Sequence, residues 1–343
     1  MNDDKKEFVV GKIKHELLGN LLKDFTSDSN DKRIIMGSKI GEDAAVIDMG
    51  DNYLVAKTDP ITFATDEIGY YAVNINVNDI VCTGARPKWF QSTILLPEKG
   101  TNETLVRKIF KNIHDTCKSM NISVIGGHTE VTAGLYRPIV VGSLLGEVEK
   151  ESLVLTSGAK PGDALILTKG IFIEGTSIIG REKEKELVEK GYDSDFIKNC
   201  KNYLFNPGIS VLKDALLANE HFEINAMHDP TEGGLLTGVA EMAIASDTGI
   251  LLNEEKITIL PEPLELSKIY QLNPLNTISS GSLLIAIDKK LSPELIELLK
   301  KNDILALEIG QFEPKNKGQV IKDKNGQVRD LIYSETDEIT KIF

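Results

Sequence analysis

The pattern of apolar and polar positions predicts helices and strands in the first half of the chain. Apolar residues recur at helical spacing over 8–25 and again over 103–120, and each stripe indicates an amphipathic helix. The first stripe consists of Phe8, Ile13, Leu17, Leu21 and Phe25, and the second of Leu105, Ile109, Ile113 and Cys117. Short apolar runs predict strands at 34–37, 44–50, 53–59, 122–125 and 139–148. The turn at 49–52 joins two of them as a hairpin.

A charged and glycine-rich stretch between 148 and 163 interrupts this pattern and indicates a domain boundary. Beyond it, the pattern predicts helices at 207–218, 233–245 and 293–301, and strands at 164–170, 250–259, 282–287 and 305–312. The sequence KNGQ at 324–327 predicts a type I′ hairpin. We therefore expect an α+β fold with two domains, at 1–150 and 160–335.

The segment NINVNDIVCTG at 74–84 fits two structures. Three apolar residues alternate with three asparagines over 73–78, which favours a half-buried strand. Asparagine is depleted in strands, however, and Thr65-Asp66-Glu67 upstream is typical of a helix start. On the residues alone, both interpretations stay open.

Composition narrows the class of protein. The 343 residues are 41% hydrophobic and 27% charged, which are globular values. The formal net charge of −13 argues against a nucleic-acid partner and against an anionic membrane surface. We find neither an apolar signal-peptide core nor a membrane-spanning run. The three cysteines are odd in number and widely spaced, so we expect no disulfide framework and a cytoplasmic location.

Candidate chemistry lies in carboxylates that follow short apolar runs. The chain has no P-loop, no Rossmann glycine fingerprint and no serine-hydrolase elbow. It has instead Asp43, Asp59, Asp79 and Glu130, each at the end of an apolar piece. Carboxylates that converge from separate strand ends suit Mg²⁺, which prefers oxygen ligands. The alternative for each acid is a turn cap or a solvated loop.

The segment HDPTEGGL at 228–235 has features of a helix start. Asp229 would be the N-cap, Pro230 the first helical residue and Glu232 the third. Capping does not account for the two glycines Gly233 and Gly234, which would let an anion approach backbone N–H groups. Capping and anion binding are compatible, and we expect both.

Five segments together resemble the aminoimidazole ribonucleotide synthetase (PurM-like) superfamily. They are GEDAAV at 41–46, TDP at 58–60, VNDIVCTGARP at 77–87, GGHTEV at 126–131 and HDPTEGGL at 228–235. The superfamily includes thiamine-monophosphate kinase, selenophosphate synthetase and the hydrogenase maturation protein HypE. The resemblance implies that ATP binds with Mg²⁺ in a cleft. It also implies a homodimer in which the N-terminal domains join their sheets.

The resemblance further implies a role for each matching residue. Mg²⁺ would be held by Asp43, Asp59, Asp79 and Glu130. Nucleotide would be contacted by Asn78, Gly126, Gly127, Thr129, Gly233 and Gly234. The acceptor would be faced by His228 or Asp229, with Asp79 at the metal–phosphate site. The segment around Asp79 would be a helix, with Thr65 as its N-cap and Gly84 at its C-terminal stop.

The HypE branch is the most similar, on GARPKWF, HDPTEGGL and ISSGSLLIAI. This implies an ATP-dependent enzyme that activates an amide-type or other small oxygen acceptor by phosphoryl transfer, with a maturation protein as partner. The HypE carrier cysteine has no counterpart here, since the sequence ends EITKIF and no cysteine follows Cys200. Two alternatives follow: a small-molecule kinase, because GEDAAV is similar to the thiamine-monophosphate kinase pattern, or a non-catalytic ATP-binding partner protein.

Overall fold

The computed structural model describes residues 8, 13, 15–26, 31–39, 41–62, 64–334 and 336–343. Its strands form two sheets. They are β1 (Ile34–Met36), β2 (Ala45–Asp48), β3 (Asn52–Ile61), β4 (Arg86–Pro97), β5 (Ser123–Thr132), β6 (Ile139–Glu149), β7 (Asp163–Thr168), β8 (Ala226–His228), β9 (Gly249–Asn253), β10 (Leu284–Asp288), β11 (Ala306–Glu313), β12 (Gln319–Lys322) and β13 (Val328–Asp330).

Helices pack against both sheets. They are α1 (His15–Thr26), α2 (Ile68–Cys82), α3 (Glu103–Ser119), α4 (Ile173–Glu182), α5 (Glu184–Glu189), α6 (Ser194–Asn202), α7 (Leu212–His221), α8 (Gly234–Ala245), α9 (Pro261–Tyr270) and α10 (Ser292–Lys301). A π-helical turn covers Leu204–Gly208. None of the helices among the described residues has the length and apolar composition needed to cross a membrane. The mixture of helices and two sheets confirms the predicted α+β class.

The first sheet has the order β1-β2-β3-β6-β4-β5, and only the β4–β5 pair is parallel. Its register aligns Asp59, Gly142, Ser92 and Gly127 in one row across four strands. Because successive residues of a strand point to opposite faces, this row lies on one face of the sheet. That face packs against α2, since a Cβ on Gly142 would lie 2.2 Å from Asn76 Nδ2 of that helix.

The ambiguous segment at 73–78 is part of helix α2, so the period-two strand interpretation is wrong and the helix implied by the family resemblance is present. Every residue of α2 except Tyr70 is buried. A helix enclosed on all sides needs no polar face, so its apolar positions need not follow a helical period. Gly84 (φ of 77°) follows the C-terminus of the helix, as expected.

The predicted N-cap of α2 is wrong. The cap is Glu67, in the left-handed region with a φ of 57° and without a side-chain hydrogen bond to the helix. The Thr65 hydroxyl instead donates to Glu182 Oε1 (2.9 Å). Thr65 therefore connects this loop to the end of α4.

The second sheet has the order β13-β12-β9-β11-β7-β10-β8 and is antiparallel except for β12–β9. Helix α8 packs on one face, where its apolar residues join β7, β9 and β11 in a buried cluster. The predicted pairing around 324–327 is present, but the type I′ turn is wrong because Asn325 does not have a positive φ.

Several predicted bounds change. The strand predicted at 122–125 is β5 and continues through the GGHTEV segment to Thr132. The strand predicted at 250–259 ends at Asn253, and the helix predicted at 207–218 begins only at Leu212. The pattern missed α4, α6 and α9. Of the predicted first helix, α1 covers the part from His15, while positions 9–12 and 14 lie outside the described residues.

Candidate active site

A cavity of about 530 Å³ lies between the first sheet with α2 on one side and the second domain's helices α4 and α8 on the other. Apolar and charged side chains both line it. The apolar ones include Ile13, Leu18, Leu22, Ile61, Ala64, Ile75, Ile178 and Ile278. The charged ones include Lys39, Glu42, Asp43, Lys57, Asp59, Asp79, Glu174, His228, Asp229, Glu232 and Glu241. The cavity therefore combines a nonpolar surface with a high density of carboxylates.

Strand β3 and helix α2 supply three of the charged residues that line the cavity. Lys57 and Asp59 are two residues apart on β3, so both side chains point to the face that packs on α2. Lys57 Nζ lies 3.2 Å from Asp59 Oδ2 and 3.3 Å from Asp79 Oδ2. Burial opposes the charged form of Lys57, but the charges of Asp79 and Asp59 outweigh burial and raise the pKa of this ammonium. Lys57 is thus a resident cation between two aspartates.

A second ion-paired group joins the two domains beside the first. His228 Nδ1 lies 2.8 Å from Asp43 Oδ1, and His228 Nε2 lies 3.0 Å from Glu241 Oε2. Since both ring nitrogens face carboxylates, both carry a proton. Burial alone would lower the pKa of His228, but Asp43 and Glu241 raise it well above its usual value. The imidazolium therefore fixes Asp43 at the cavity wall.

Asp229 completes the cluster from the loop after β8. The Cys82 thiol, on the last turn of α2, donates a hydrogen bond to Asp229 Oδ1 over 3.9 Å. Asp229 Oδ2 is buried and has no hydrogen-bond partner among the described residues. Asp79 Oδ2 also accepts no well-oriented hydrogen bond, although Lys57 is near. Two buried carboxylate oxygens are therefore available to a ligand.

The cluster contains more acidic side chains than cations. Among the described residues that line the cavity, the cations Lys39, Lys57 and His228 accompany the acids Asp43, Asp59, Asp79, Asp229 and Glu241. Burial is the main cause that raises the pKa of Asp79 well above its usual range, and repulsion from Asp229 adds to it. Burial and the charge of Asp43 raise the pKa of Asp229 to about 7. Such a site favours a divalent cation, which would relieve the repulsion.

Two family models match most of the chain. Residues 41–148 match the model "AIR synthase related protein, N-terminal domain", and residues 160–323 match "AIR synthase related protein, C-terminal domain". The chain belongs to the AIR synthase related protein family. The two matched regions correspond to the two sheets, and the cavity lies between them.

Curated relatives in this family include several enzymes. The chain is 31% identical to "Putative hydrogenase expression/formation protein" of Methanocaldococcus jannaschii, over 91% of each chain. It is 25% identical to "Selenide, water dikinase" of Clostridioides difficile, over 89% of this chain and 93% of that protein. It is 26% identical to "Carbamoyl dehydratase HypE" of Rhizobium leguminosarum, over 69% of this chain and 64% of that protein.

Solved structures of the same fold include nucleotide complexes. A HypE–HypF complex aligns with a TM-score of 0.70 at 22% identity, over 92% of this chain and 100% of that chain. HypE in complex with ATP aligns with a TM-score of 0.68 at 19% identity, over 96% and 97%. AaThiL with AMPPCP and TMP aligns with a TM-score of 0.70 at 20% identity, over 92% and 96%. At these identities the likeness shows the fold, and it confirms the two-domain AIR-synthase-like architecture.

Mg²⁺, which the family resemblance implies, fits the donors present in the cavity. Asp43, Asp59 and Asp79 offer carboxylate oxygens, the ligands that Mg²⁺ prefers. Asp79 Oδ2 is a buried oxygen without a well-oriented hydrogen bond, and Lys57 already places a positive charge beside it. The site is therefore suited to a hard cation.

Glu130 does not join these aspartates within one chain. The row that contains Asp59 reaches Gly127 on β5, three strand spacings of about 4.8 Å away. Glu130, three residues further along β5, points to the opposite face, where its Oε2 lies 3.1 Å from His128 Nε2. Within one chain, the structure therefore brings together three of the four carboxylates predicted to hold Mg²⁺. Gly126, Gly127 and Thr129 are likewise on the exposed edge strand, away from the cavity lining.

Asn78, which was predicted to contact nucleotide, bonds the protein backbone in this structure. Its Nδ2 donates to Ile209 O (2.8 Å), and its Oδ1 accepts from Val211 N–H (2.9 Å). Asn76, two residues earlier, accepts a hydrogen bond from the Asp59 N–H at its Oδ1 (3.0 Å). The two carboxamides therefore join α2 to β3 and to the segment before α7. Their role is to hold Asp79 in place.

The helix predicted at 233–245 is present, but the predicted N-cap at Asp229 is wrong. Helix α8 begins at Gly234, with Gly233 in the left-handed region (φ of 79°) as its cap, so Asp229 is free to face the cluster. The Gly233 N–H donates to Asp337 Oδ2 (2.7 Å), and the Gly234 N–H donates to Thr231 O (3.0 Å). Both N–H groups therefore donate to acceptors of the protein in this structure, and a phosphate contact at these glycines stays a prediction.

The sequence analysis did not identify Lys57, Glu174 and Glu241, which line the cavity, or Cys82, which contacts Asp229. Lys57 could have been identified from the sequence, since it lies two residues before Asp59 on a predicted strand and therefore points to the same face. Cys82 is one helical turn after Asp79, which became informative only once α2 was known to be a helix. Glu174 and Glu241 had no signal, because they come from distant helices.

Proposed function

We propose that this chain is an ATP- and Mg²⁺-dependent, HypE-like enzyme that activates an amide-type or other small oxygen acceptor by phosphoryl transfer. The observation that carries the proposal is the meeting of Asp43, Asp59, Asp79 and Asp229 around Lys57 in a cavity of about 530 Å³. The named relatives include a dikinase and a dehydratase, and fold relatives have been solved with ATP and AMPPCP. The division into an ATP-binding domain at 1–150 and a second domain at 160–335 is part of this proposal.

In the proposed reaction, the apolar and the charged side chains of the cavity have separate tasks. Ile61, Ile75 and Ile178 would contact the purine base. Asp43, Asp59 and Asp79 would hold Mg²⁺, which would supply neutralisation of phosphate charge. Lys57 would contribute a further positive charge for the phosphate oxygens.

Proton handling belongs to the second domain. Asp229 has a pKa of about 7 and an oxygen without a hydrogen-bond partner among the described residues, so it can accept the acceptor's proton at Oδ2 near neutral pH. His228 is a positioning residue, because its ring nitrogens are both engaged by Asp43 and Glu241. Phosphoryl transfer depends mainly on positioning and charge neutralisation. The cavity can therefore perform it without a covalent nucleophile.

The proposal includes a homodimer and a protein partner. Strand β5 is a sheet edge with exposed Val124, Ile125 and Val131, a surface that a second copy would cover. That copy would also approach Gly126, Gly127 and Thr129, and sedimentation of the purified chain measures whether it is present. The acceptor is a small molecule or is carried by a maturation protein; one fold relative was solved as a HypE–HypF complex.

ATP turnover tests the proposed function. The purified chain is incubated with ATP, Mg²⁺ and a panel of primary amides, thiamine monophosphate and candidate maturation proteins, and ADP is measured. We expect Mg²⁺-dependent ADP formation that at least one acceptor stimulates, and that Asp79→Asn reduces at least 100-fold. Asp115→Asn, an exposed aspartate on α3, is the matched control and should retain activity. A folded protein that binds ATP and leaves it intact with every acceptor would support the non-catalytic alternative.

A further inference from the structure

The aspartate cluster contains one sulfur atom. Ligand atoms of Asp43, Cys82 and Asp229 all lie within 4.8 Å of one another, and all three residues are buried. They come from three separate parts of the chain: the loop before β2, the last turn of α2 and the loop after β8. Cys117 and Cys200, the other two cysteines, are also buried but are not part of this group.

The distances are close to those of a metal site. Cys82 Sγ and Asp229 Oδ1 are 3.9 Å apart. In a tetrahedral zinc site with Zn–S of about 2.3 Å and Zn–O of about 2.0 Å, sulfur and oxygen ligands are about 3.5 Å apart. A contraction of a few tenths of an ångström would bring the pair to that separation. The second carboxylate oxygen of Asp229, a residue that is 1% exposed, has no hydrogen-bond partner among the described residues.

Sulfur changes the class of cation that these residues favour. Mg²⁺ takes oxygen ligands, whereas Zn²⁺ and Co²⁺ bind thiolate together with carboxylate. Three protein ligands with a remaining open position is the arrangement of catalytic rather than structural zinc sites. Asp43 and Asp229 also line the cavity, so a cation can reach them from solvent.

We propose that Asp43, Cys82 and Asp229 form a site for a thiophilic divalent cation such as Zn²⁺ or Co²⁺, with the Cys82 sulfur as a direct ligand. On binding, the S–H bond of Cys82 breaks, a sulfur–metal bond forms and the proton leaves to solvent. Because Asp43 would also hold Mg²⁺ in the proposed function, the thiophilic cation and Mg²⁺ compete for it. The proposal uses the same cavity, but it needs no nucleotide.

Cobalt absorption tests this site without any enzymatic activity. Co²⁺ is titrated into the reduced, full-length chain in the absence of ATP, and the near-ultraviolet thiolate-to-cobalt band and the visible d–d bands are recorded. We expect a thiolate band that saturates at one cobalt per chain and that Zn²⁺ abolishes. Cys82→Ser and Cys82→Ala should both lose the band, while Cys117→Ser and Cys200→Ser retain it.

Two results would overturn the proposal. One is a folded wild-type chain that shows no thiolate band at saturating Co²⁺, and the other is a band that survives in a folded Cys82→Ala chain. Calorimetry with Mg²⁺ and ATP on the same preparations separates this outcome from the proposed function. A chain that gives the cobalt band and does not bind ATP would support the sulfur site and contradict the ATP-dependent enzyme.

Discussion

At the scale of single residues, the polar side chains of α2 (Ile68–Cys82) have distinct tasks. Asn76 bonds β3 and Asn78 bonds the backbone before α7, while Asp79 faces the cavity and Cys82 contacts Asp229. A strand would present these residues on two faces only, whereas a helix distributes them around its axis. The helix therefore contacts both domains and the site at once.

Asn78 should be important for stability rather than for nucleotide affinity. Replacement by Ala leaves the buried Val211 N–H and Ile209 carbonyl without their side-chain partner. We expect Asn78→Ala to lower the free energy of unfolding by roughly 2–4 kcal/mol, measured by urea denaturation. Asn199→Ala, at an exposed position of α6, should change it by less than about 0.5 kcal/mol. Equal stability of the two variants would contradict the joining role of Asn78.

Glu174 should make stability depend on pH. Burial raises the pKa of its carboxyl to about 8, so the folded chain keeps the proton over a range in which the unfolded chain has lost it. The unfolded state then binds fewer protons, and stability falls as pH rises from about 4.5 to about 8, by at most about 1.4 kcal/mol per unit. Glu174→Gln removes this contribution. Denaturant unfolding at pH 6 and pH 8 should show that the free energy of unfolding falls less for the variant than for the wild type. An equal fall in the two proteins would refute the prediction.

The sequence predicted individual site residues unevenly. Asp43, Asp59, Asp79 and Asp229 were identified because each lies in a short segment that resembles a family motif, and the structure brings them together. Their ion-pair partners could not be identified in this way. Glu241, for example, is 13 residues from His228 in the sequence, and the two meet only because the chain turns before α8.

At the scale of elements, local patterns predicted exposed helices and alternating strands better than enclosed ones. Helix α3 follows its predicted apolar stripe closely, because one face packs and the other meets solvent. Helix α2 has no such stripe, since it is buried on all sides. The N-cap of α8 was predicted at Asp229 but lies at Gly233, whose N–H donates to Asp337, about a hundred residues along the chain.

The packing of strand β5 against β4 requires a glycine at position 127 but not at position 126. A Cβ on Gly127 (φ of 150°) would lie 2.1 Å from the carbonyl oxygen of Ser92, whereas a Cβ on Gly126 would meet nothing within 4 Å. We expect Gly127→Ala to displace β5 from β4 and to lower the denaturation midpoint strongly. Gly126→Ala is the matched control and should unfold close to the wild type. A Gly127→Ala chain as stable as the control would show that the strands do not pack this closely.

At the scale of the whole molecule, the order of the five motifs identified the family, and the structure shows why they recur together. Four of them place a residue at or beside one cavity between two sheets, and the fifth, GGHTEV, forms the exposed edge of the first sheet. The sequence could not reveal this division. Only the register across β3, β6, β4 and β5 shows that Glu130 points away from Asp59.

The central claim is that the carboxylate cavity binds ATP together with Mg²⁺. Calorimetric titration of ATP into the wild-type chain, first with Mg²⁺ and then with EDTA, tests it most directly, with Asp79→Asn and Asp115→Asn titrated in parallel. Saturating ligand at 100 times its dissociation constant should also stabilise the fold by about 2.7 kcal/mol in a melt. We expect binding that requires Mg²⁺, is lost in Asp79→Asn and persists in Asp115→Asn. A folded wild-type chain that binds no nucleotide, or an Asp79→Asn chain that binds it unchanged, would contradict the account.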